Sequence, residues 1–219
     1  MFLNRGDRLA MVDFEDRKIN YTELVNNVKY FSENVIPAEK EDFGLILMEN
    51  RPEWIYTYFA LWDRKAIPIA LDSTSSSKEI LYVLGDSDPK FVICSNESEK
   101  NVREAVSMYE KGEITVINVD NHPIDENKLE VIRNSNFELE NPEGDSIATM
   151  LYTSGTTGSP KGVMLTFNNL SSELEGLGQK NLLEPTDQIL ALLPFHHVLP
   201  LTATVLIILQ HQASMVFVK

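Results

Sequence analysis

One cysteine in 219 residues excludes an intrachain disulfide and any zinc site built on thiolates. That residue, Cys94, lies in the apolar run Phe91-Val92-Ile93-Cys94 and reads as a small buried hydrophobe. Basic residues are scarce. Nineteen Lys and Arg face 33 Asp and Glu, a formal net charge of −14, which excludes nucleic acid and anionic membrane surfaces as general partners. Long apolar runs are missing as well. The longest, 198–209, is interrupted by Pro200, Thr202 and Thr204 and is too short to cross a bilayer, which takes about 20 residues. No integral membrane segment is therefore expected. Asn4, Arg5 and Asp7 follow Met1-Phe2-Leu3 at once, so the apolar core of a signal peptide is missing too. The expected location is cytoplasmic, with a peripheral place at a membrane surface left open. No internal repeat is visible.

What remains is ordinary for a globular chain: 43% hydrophobic and 24% charged residues, enough for one sizeable core. Short apolar runs alternate with stretches of helical period. Thr22 is placed to cap a helix whose Leu24, Val28, Phe31 and Val35 share a face. Strands are predicted over 43–48, 66–71, 90–94, 114–119, 147–152, 163–166, 188–193 and 214–218. Pro68 argues that its strand lies at an edge or a bulge. Asn50 and Pro52 mark a helix start, followed by an aromatic-rich face at Trp54, Ile55, Tyr58, Phe59, Leu61 and Trp62 that reads as core. Ser77 is placed to cap a helix, and further helices are predicted over 97–109, from Asn168 or Asn169, and over 201–209. The alternation predicts an α/β fold of mostly parallel sheets with helices on both faces. It divides into a first α/β part over 1–119, an irregular connection over 120–145 rich in Asp, Glu, Asn and Pro, and a second part over 146–219.

Two segments could carry chemistry. Residues 151–163 read Leu-Tyr-Thr-Ser-Gly-Thr-Thr-Gly-Ser-Pro-Lys-Gly-Val. Glycines let a backbone approach a ligand closely, N–H groups and hydroxyls bind phosphate oxygens, and Lys161 adds a point charge. Composition alone favours a plain surface loop. The order is not that of the best-known phosphate loop either: counted from Gly155, the second glycine slot holds Pro160 and Gly162 follows Lys161. The other segment is Leu193-Pro194-Phe195-His196-His197-Val198. A histidine pair after a strand sits where α/β sheets place ligands, yet such a pair is also often structural. No third metal ligand stands at a suitable spacing, and His122 and His211 are isolated.

Position by position, Tyr152 to Val163 resembles the signature loop of the adenylate-forming (AMP-binding) superfamily. That superfamily contains acyl-CoA synthetases, nonribosomal peptide adenylation domains and beetle luciferases. Ile19-Asn20-Tyr21-Thr22-Glu23-Leu24 is similar to its opening motif. Leu71-Asp72-Ser73 is similar to its x-Pro-x-Asn/Asp-Pro turn without the final proline. Pro194 and His197 match its Pro-x-x-His segment. The resemblance covers nearly the whole chain in order and implies the leading part of the large N-terminal domain of an acyl-CoA synthetase-like fold.

The resemblance implies an ATP-dependent, AMP-forming carboxylate–CoA ligase. The segments Val163-Met164-Leu165-Thr166 and Pro194 to Val198 lean toward fatty acids. It implies that Thr153, Ser154, Gly155, Thr156, Thr157 and Gly158 hold the β- and γ-phosphates of ATP, with Lys161 neutralising the leaving pyrophosphate. Thr156 would serve Mg2+, and His197, with His196 beside it, would contact the carboxylate. Coenzyme A would be the acyl acceptor. The adenine and ribose segments and the small C-terminal domain of that family have no counterpart up to Lys219, so the chain on its own is expected to be inactive. The alternatives are amino-acid or aryl-acid adenylation for a carrier protein, and a non-catalytic assembly module that self-associates through exposed apolar surface.

Overall fold

A computed structural model describes residues 3–140, 142–153, 160–178 and 183–218. After strands β1 (Leu9–Val12) and β2 (Lys18–Asn20), Asn20 rather than Thr22 starts the first helix, α1 (Tyr21–Asn34). Its side chain accepts from the Glu23 N–H at 2.8 Å, and the Glu23 carboxylate accepts from the Asn20 N–H at 2.8 Å. This reciprocal cap satisfies two otherwise free donors and contributes about 1 kcal/mol. The Thr22 hydroxyl instead exchanges hydrogen bonds with the Gly6 backbone, which fastens the chain before β1 to the helix.

The main sheet comprises β3 (Phe43–Leu47), β4 (Ile67–Ala70), β5 (Phe91–Cys94), β6 (Thr115–Asn118), β7 (Ile147–Thr153) and β8 (Lys161–Thr166). Its order is β6-β5-β3-β4-β7-β8, parallel throughout except for the antiparallel β7–β8 pair. Residue parity divides the core. Leu45, Leu47, Val92 and Cys94 face α3 (Ser77–Ser87) and α4 (Glu99–Ser107). Ile46, Phe91 and Ile93 turn to the other side, into the larger cluster with α1 and α2 (Pro52–Asp63). Strands buried on both faces read as continuous apolar runs, as these do. Burial pushes the Cys94 thiol up to about 12, which leaves it an inert packing group.

Pro68 lies inside this sheet, not at an edge. The N–H groups of Ile67 and Leu71 donate to the carbonyls of Asp42, just before β3, and of Ile46 within it, so the alternate position 68 faces β7. The β4–β7 pairing runs through Ile69 and Ala70, one step beyond Pro68, so the missing N–H leaves no gap in the ladder. The Thr149 hydroxyl donates to the Pro68 carbonyl at 3.0 Å and closes the junction.

Other helix starts also shift. Ser76, not Ser77, caps α3 and pairs reciprocally with Glu79. Arg51 occupies the cap position of α2, with Pro52 in its first turn, while the Asn50 side chain turns away. The 120–145 segment is not irregular throughout. Asp125 caps a helix, α5 (Glu126–Arg133), that buries Leu129 and Ile132 against α1. Two apolar residues three apart are too sparse to register as a period.

After α6 (Phe167–Gly178) come β9 (Gln188–Leu190), a helix α7 (198–210) with a π-helical stretch at Leu201–Leu206, and β10 (Ser214–Val216). The Thr202 hydroxyl donates to the Val198 carbonyl at 2.9 Å where the π stretch begins. Strands β9 and β10 join β1 and β2 in a second sheet ordered β2-β1-β10-β9. Among the described residues, no helix is long and apolar enough to cross a membrane.

At Gly44, within β3, an added Cβ would lie 2.5 Å from Phe91 Cε2 and 2.9 Å from Leu61 Cδ2. Gly44→Ala is therefore expected to cost about 1–3 kcal/mol through overpacking. Urea denaturation checks this by a lowered midpoint at an unchanged slope.

Candidate active site

The glycine-rich segment connects β7 to β8, which pair antiparallel from Thr149↔Leu165 to Thr153↔Lys161, with a register shift between Ile147 and Thr149. Thr153 and Lys161 thus stand opposite each other at the loop end of the hairpin, both exposed. Helix α3 grips each arm. The Tyr82 hydroxyl donates to the Pro160 carbonyl at 2.8 Å, and the Tyr152 hydroxyl donates to Asp86 Oδ2 at 2.7 Å. Burial, then the Asp86 carboxylate, holds the Tyr152 phenol protonated by raising its pKa. Gly162 is needed for close approach: a Cβ there would meet Met150 Sδ at 2.9 Å. Ser154, Gly155, Thr156, Thr157 and Gly158 lie outside the described residues. Lys161 makes no ion pair among the described residues.

The histidine pair lies near the same end of the sheet. Ala70 pairs with Leu151, and two residues further on Asp72 and Thr153 leave the strands at their carboxyl ends. His196 Nε2 stands 3.9 Å from Asp72 Oδ2, and the two imidazole centroids are 4.1 Å apart. Burial and the adjacent His197 lower the His196 pKa, while Asp72 opposes them. Partial burial alone would raise the Asp72 pKa. The Thr74 N–H and hydroxyl, which donate to Oδ1 at 2.9 and 2.8 Å, outweigh it together with the two histidines, so the carboxyl sits below its usual range.

A cleft of about 850 Å3 opens here. Met48, Glu49 and Asn50 line it from the end of β3, Asp72 and Thr74 from the end of β4, and Leu192, Pro194 and His196 from the segment after β9. Carboxyl ends of strands are where open α/β sheets bind ligands. Of the residues singled out from sequence, His196 lines this cleft. His197 begins α7 and is exposed; Thr153 and Lys161 face solvent at the hairpin beside it.

Sequence reasoning missed a second feature of the cleft. Arg51 bonds Glu49 at 3.0 Å, Glu53 at 2.7 Å and Asp120 at 2.8 Å, which ties together the ends of β3 and β6. Burial alone would lower the guanidinium pKa, but Glu53 and Asp120 outweigh it and hold it raised. The Glu49 carboxylate accepts in turn from the Ser95 hydroxyl at 2.6 Å, just past β5. An Arg between two Glu at 49–53 is the local signal that could have revealed this network.

The sequence pattern of the family described as AMP-binding enzyme matches residues 3–219. The chain belongs to this family. Fatty acyl-CoA synthetase A of Dictyostelium discoideum is 34% identical over 143 residues, covering 58% of the chain and 21% of that protein. The 2-succinylbenzoate–CoA ligase of Bacillus subtilis is 30% identical over 207 residues, covering 90% of the chain and 38% of that protein. Among solved structures, ATP-bound MatB from Rhodopseudomonas palustris superposes with a TM-score of 0.80 at 24% identity, covering 99% of the chain and 43% of MatB, a likeness of fold. The chain therefore spans well under half the length of these relatives. The fold agrees with the leading part of the large N-terminal domain of such enzymes.

Asp72 raises the His196 pKa against burial and the adjacent His197. Asp72→Asn is expected to move the His196 titration midpoint further down. An NMR titration of the imidazole Cε1–H signal checks the sign.

Proposed function

We propose that the full-length protein is an ATP-dependent, AMP-forming carboxylate–CoA ligase. The observation that carries the reading is the unbroken run Tyr152 to Val163, spanning a hairpin whose ends, Thr153 and Lys161, are exposed at the carboxyl edge of the sheet. The carboxylate oxygen attacks the α-phosphorus of ATP, an O–P bond forms, and pyrophosphate leaves. Coenzyme A thiol then takes the acyl group, and AMP departs. Attack by an anion on a polyanion depends on positioning and charge neutralisation.

In this reading Thr153, Ser154, Gly155, Thr156, Thr157 and Gly158 donate N–H and hydroxyl hydrogen bonds to the β- and γ-phosphates. Lys161 brings positive charge to the leaving pyrophosphate. His197, with His196 beside it, meets the carboxylate. Mg2+ takes oxygen ligands and neutralises phosphate charge when bound. No group of three or more His, Cys, Asp or Glu among the described residues could hold a metal ion. On the resemblance, the Thr156 hydroxyl would be an oxygen donor to that ion.

The acid is a fatty acid, on the strength of the apolar segment at Val163 to Leu165 and the similarity to the Dictyostelium synthetase. The longer match to the 2-succinylbenzoate ligase supports an aromatic acid as a second reading. A panel of fatty, aromatic and amino acids in pyrophosphate exchange separates these and the carrier-protein alternative.

Lys161→Ala in the full-length gene product is expected to lower acid-dependent pyrophosphate exchange at least roughly tenfold, as loss of a transition-state donor does. An unchanged rate refutes the assignment. Calorimetry of ATP against the 219-residue chain is expected to show weak binding or none. Micromolar affinity would mean that the nucleotide site is complete within it.

A further inference from the structure

The segment that carries the histidines leaves β9, where the Ala191 N–H still donates to the Val216 carbonyl at 2.9 Å, and two further attachments hold it on the way to α7. One is the Phe195 ring, buried and set edge-on to Trp54 at 5.2 Å and to Phe217 at 6.1 Å. A ring in a pocket fixes a point on the chain but not the orientation of the flanking peptides. The other attachment is Asn50, just past β3. Its Nδ2 donates to the Ala191 carbonyl at 3.0 Å and to the Leu193 carbonyl at 2.8 Å, and its Oδ1 accepts from the Phe195 N–H at 3.1 Å.

One carboxamide thus holds main-chain groups at positions 191, 193 and 195. Leu192, Pro194 and His196, together with Ala191, line the cleft. Fixing the main-chain groups at 191, 193 and 195 fixes the backbone directions from which these side chains project. The Asn carboxamide carries two N–H donors and an acceptor on one short planar group, and that of Gln is a methylene farther from the backbone. Asn50 is not spent on capping, since α2 starts from Arg51 without it.

We propose that Asn50 is the positioning residue of the histidine segment. It sets residues 191–195 in register against the end of β3 and so presents His196 to Asp72 in the cleft. The consequence for catalysis rests on the carboxylate reading above, whereas the clamp itself is testable without any ligand.

The test uses Asn50→Ala and Asn50→Asp in the 219-residue chain, followed by NMR. In Asn50→Ala the Phe195 amide is expected to exchange about tenfold faster, as befits loss of one protecting hydrogen bond. Amides of β3 and β5 keep their protection, and the His196 midpoint rises toward its ordinary value as the segment loosens. Asn50→Asp keeps an acceptor for Phe195 but loses both donors. Its Phe195 amide should stay protected while the carbonyl carbon signals of Ala191 and Leu193 move, a split that a merely structural residue would not produce. An unmoved Phe195 amide and His196 midpoint in Asn50→Ala overturn the clamp, and so does loss of protection spread evenly through β3 and β5. In the full-length gene product, Asn50→Ala is expected to raise KM for the acid about tenfold with KM for ATP nearly unchanged. A loosened segment with an unchanged acid KM keeps the clamp and overturns the carboxylate reading.

Discussion

Helix α2 is buried on every side, and the arrangement of the rest depends on it. All of its residues except Glu53 are buried. Trp54 stacks on Tyr58 at 4.9 Å, Tyr58 meets Trp62 edge-on at 5.0 Å, and Trp62 meets Phe167 at 4.9 Å. This ladder of rings runs from the histidine segment, through Trp54 and Phe195, to the start of α6. The Trp62 indole donates to the Ala148 carbonyl at 2.7 Å, at the base of β7, so the helix also touches the strand that leads into the glycine loop. One buried rod therefore relates the glycine-rich and histidine segments to each other, although His196 lies 35 positions beyond Lys161.

Charge at the sheet's carboxyl edge is distributed unevenly. Arg51 is saturated by three carboxylates, and Glu49, Asp72 and Glu97 line the same cleft. Among the described residues near the cleft, the histidines and Lys161 of the hairpin are positive or switchable groups not saturated by carboxylates in this way. With a net charge of −14, the chain offers an anionic ligand no general attraction. Recognition must come from local donors, and this gives the exposed Lys161 and the hydroxyl-rich loop more weight than their number suggests.

The sequence made the strand–helix rhythm legible because both faces of the main sheet are buried, which writes strands as unbroken apolar runs such as Phe91 to Cys94. It also made the hairpin residues legible, since their order is local. Features that depend on distant partners were hidden. Asn50 looked like a helix cap because Pro52 follows it, but its partners lie 141 to 145 positions away. Those bonds also explain why β9 ends at Leu190 and not at Leu193: the next carbonyls are taken by a side chain. Pro68 reads as an edge or bulge residue because a missing N–H is costly in a ladder, and the β4–β7 offset shows how the cost is avoided. Thr22 was read as the first helix's cap, whereas Asn20 holds that place. The Glu at position 23, three residues beyond Asn20, was the readable sign in favour of Asn20.

Gly44 and Phe91 occupy what is in effect a single volume, since they pair across β3 and β5 and the ring covers the place a methyl group would take. Evolutionary drift at either position is then licensed only by drift at the other. Across homologues, a bulkier residue at the glycine should travel with a smaller one at the phenylalanine. The two columns would covary in size although neither residue lines the cleft.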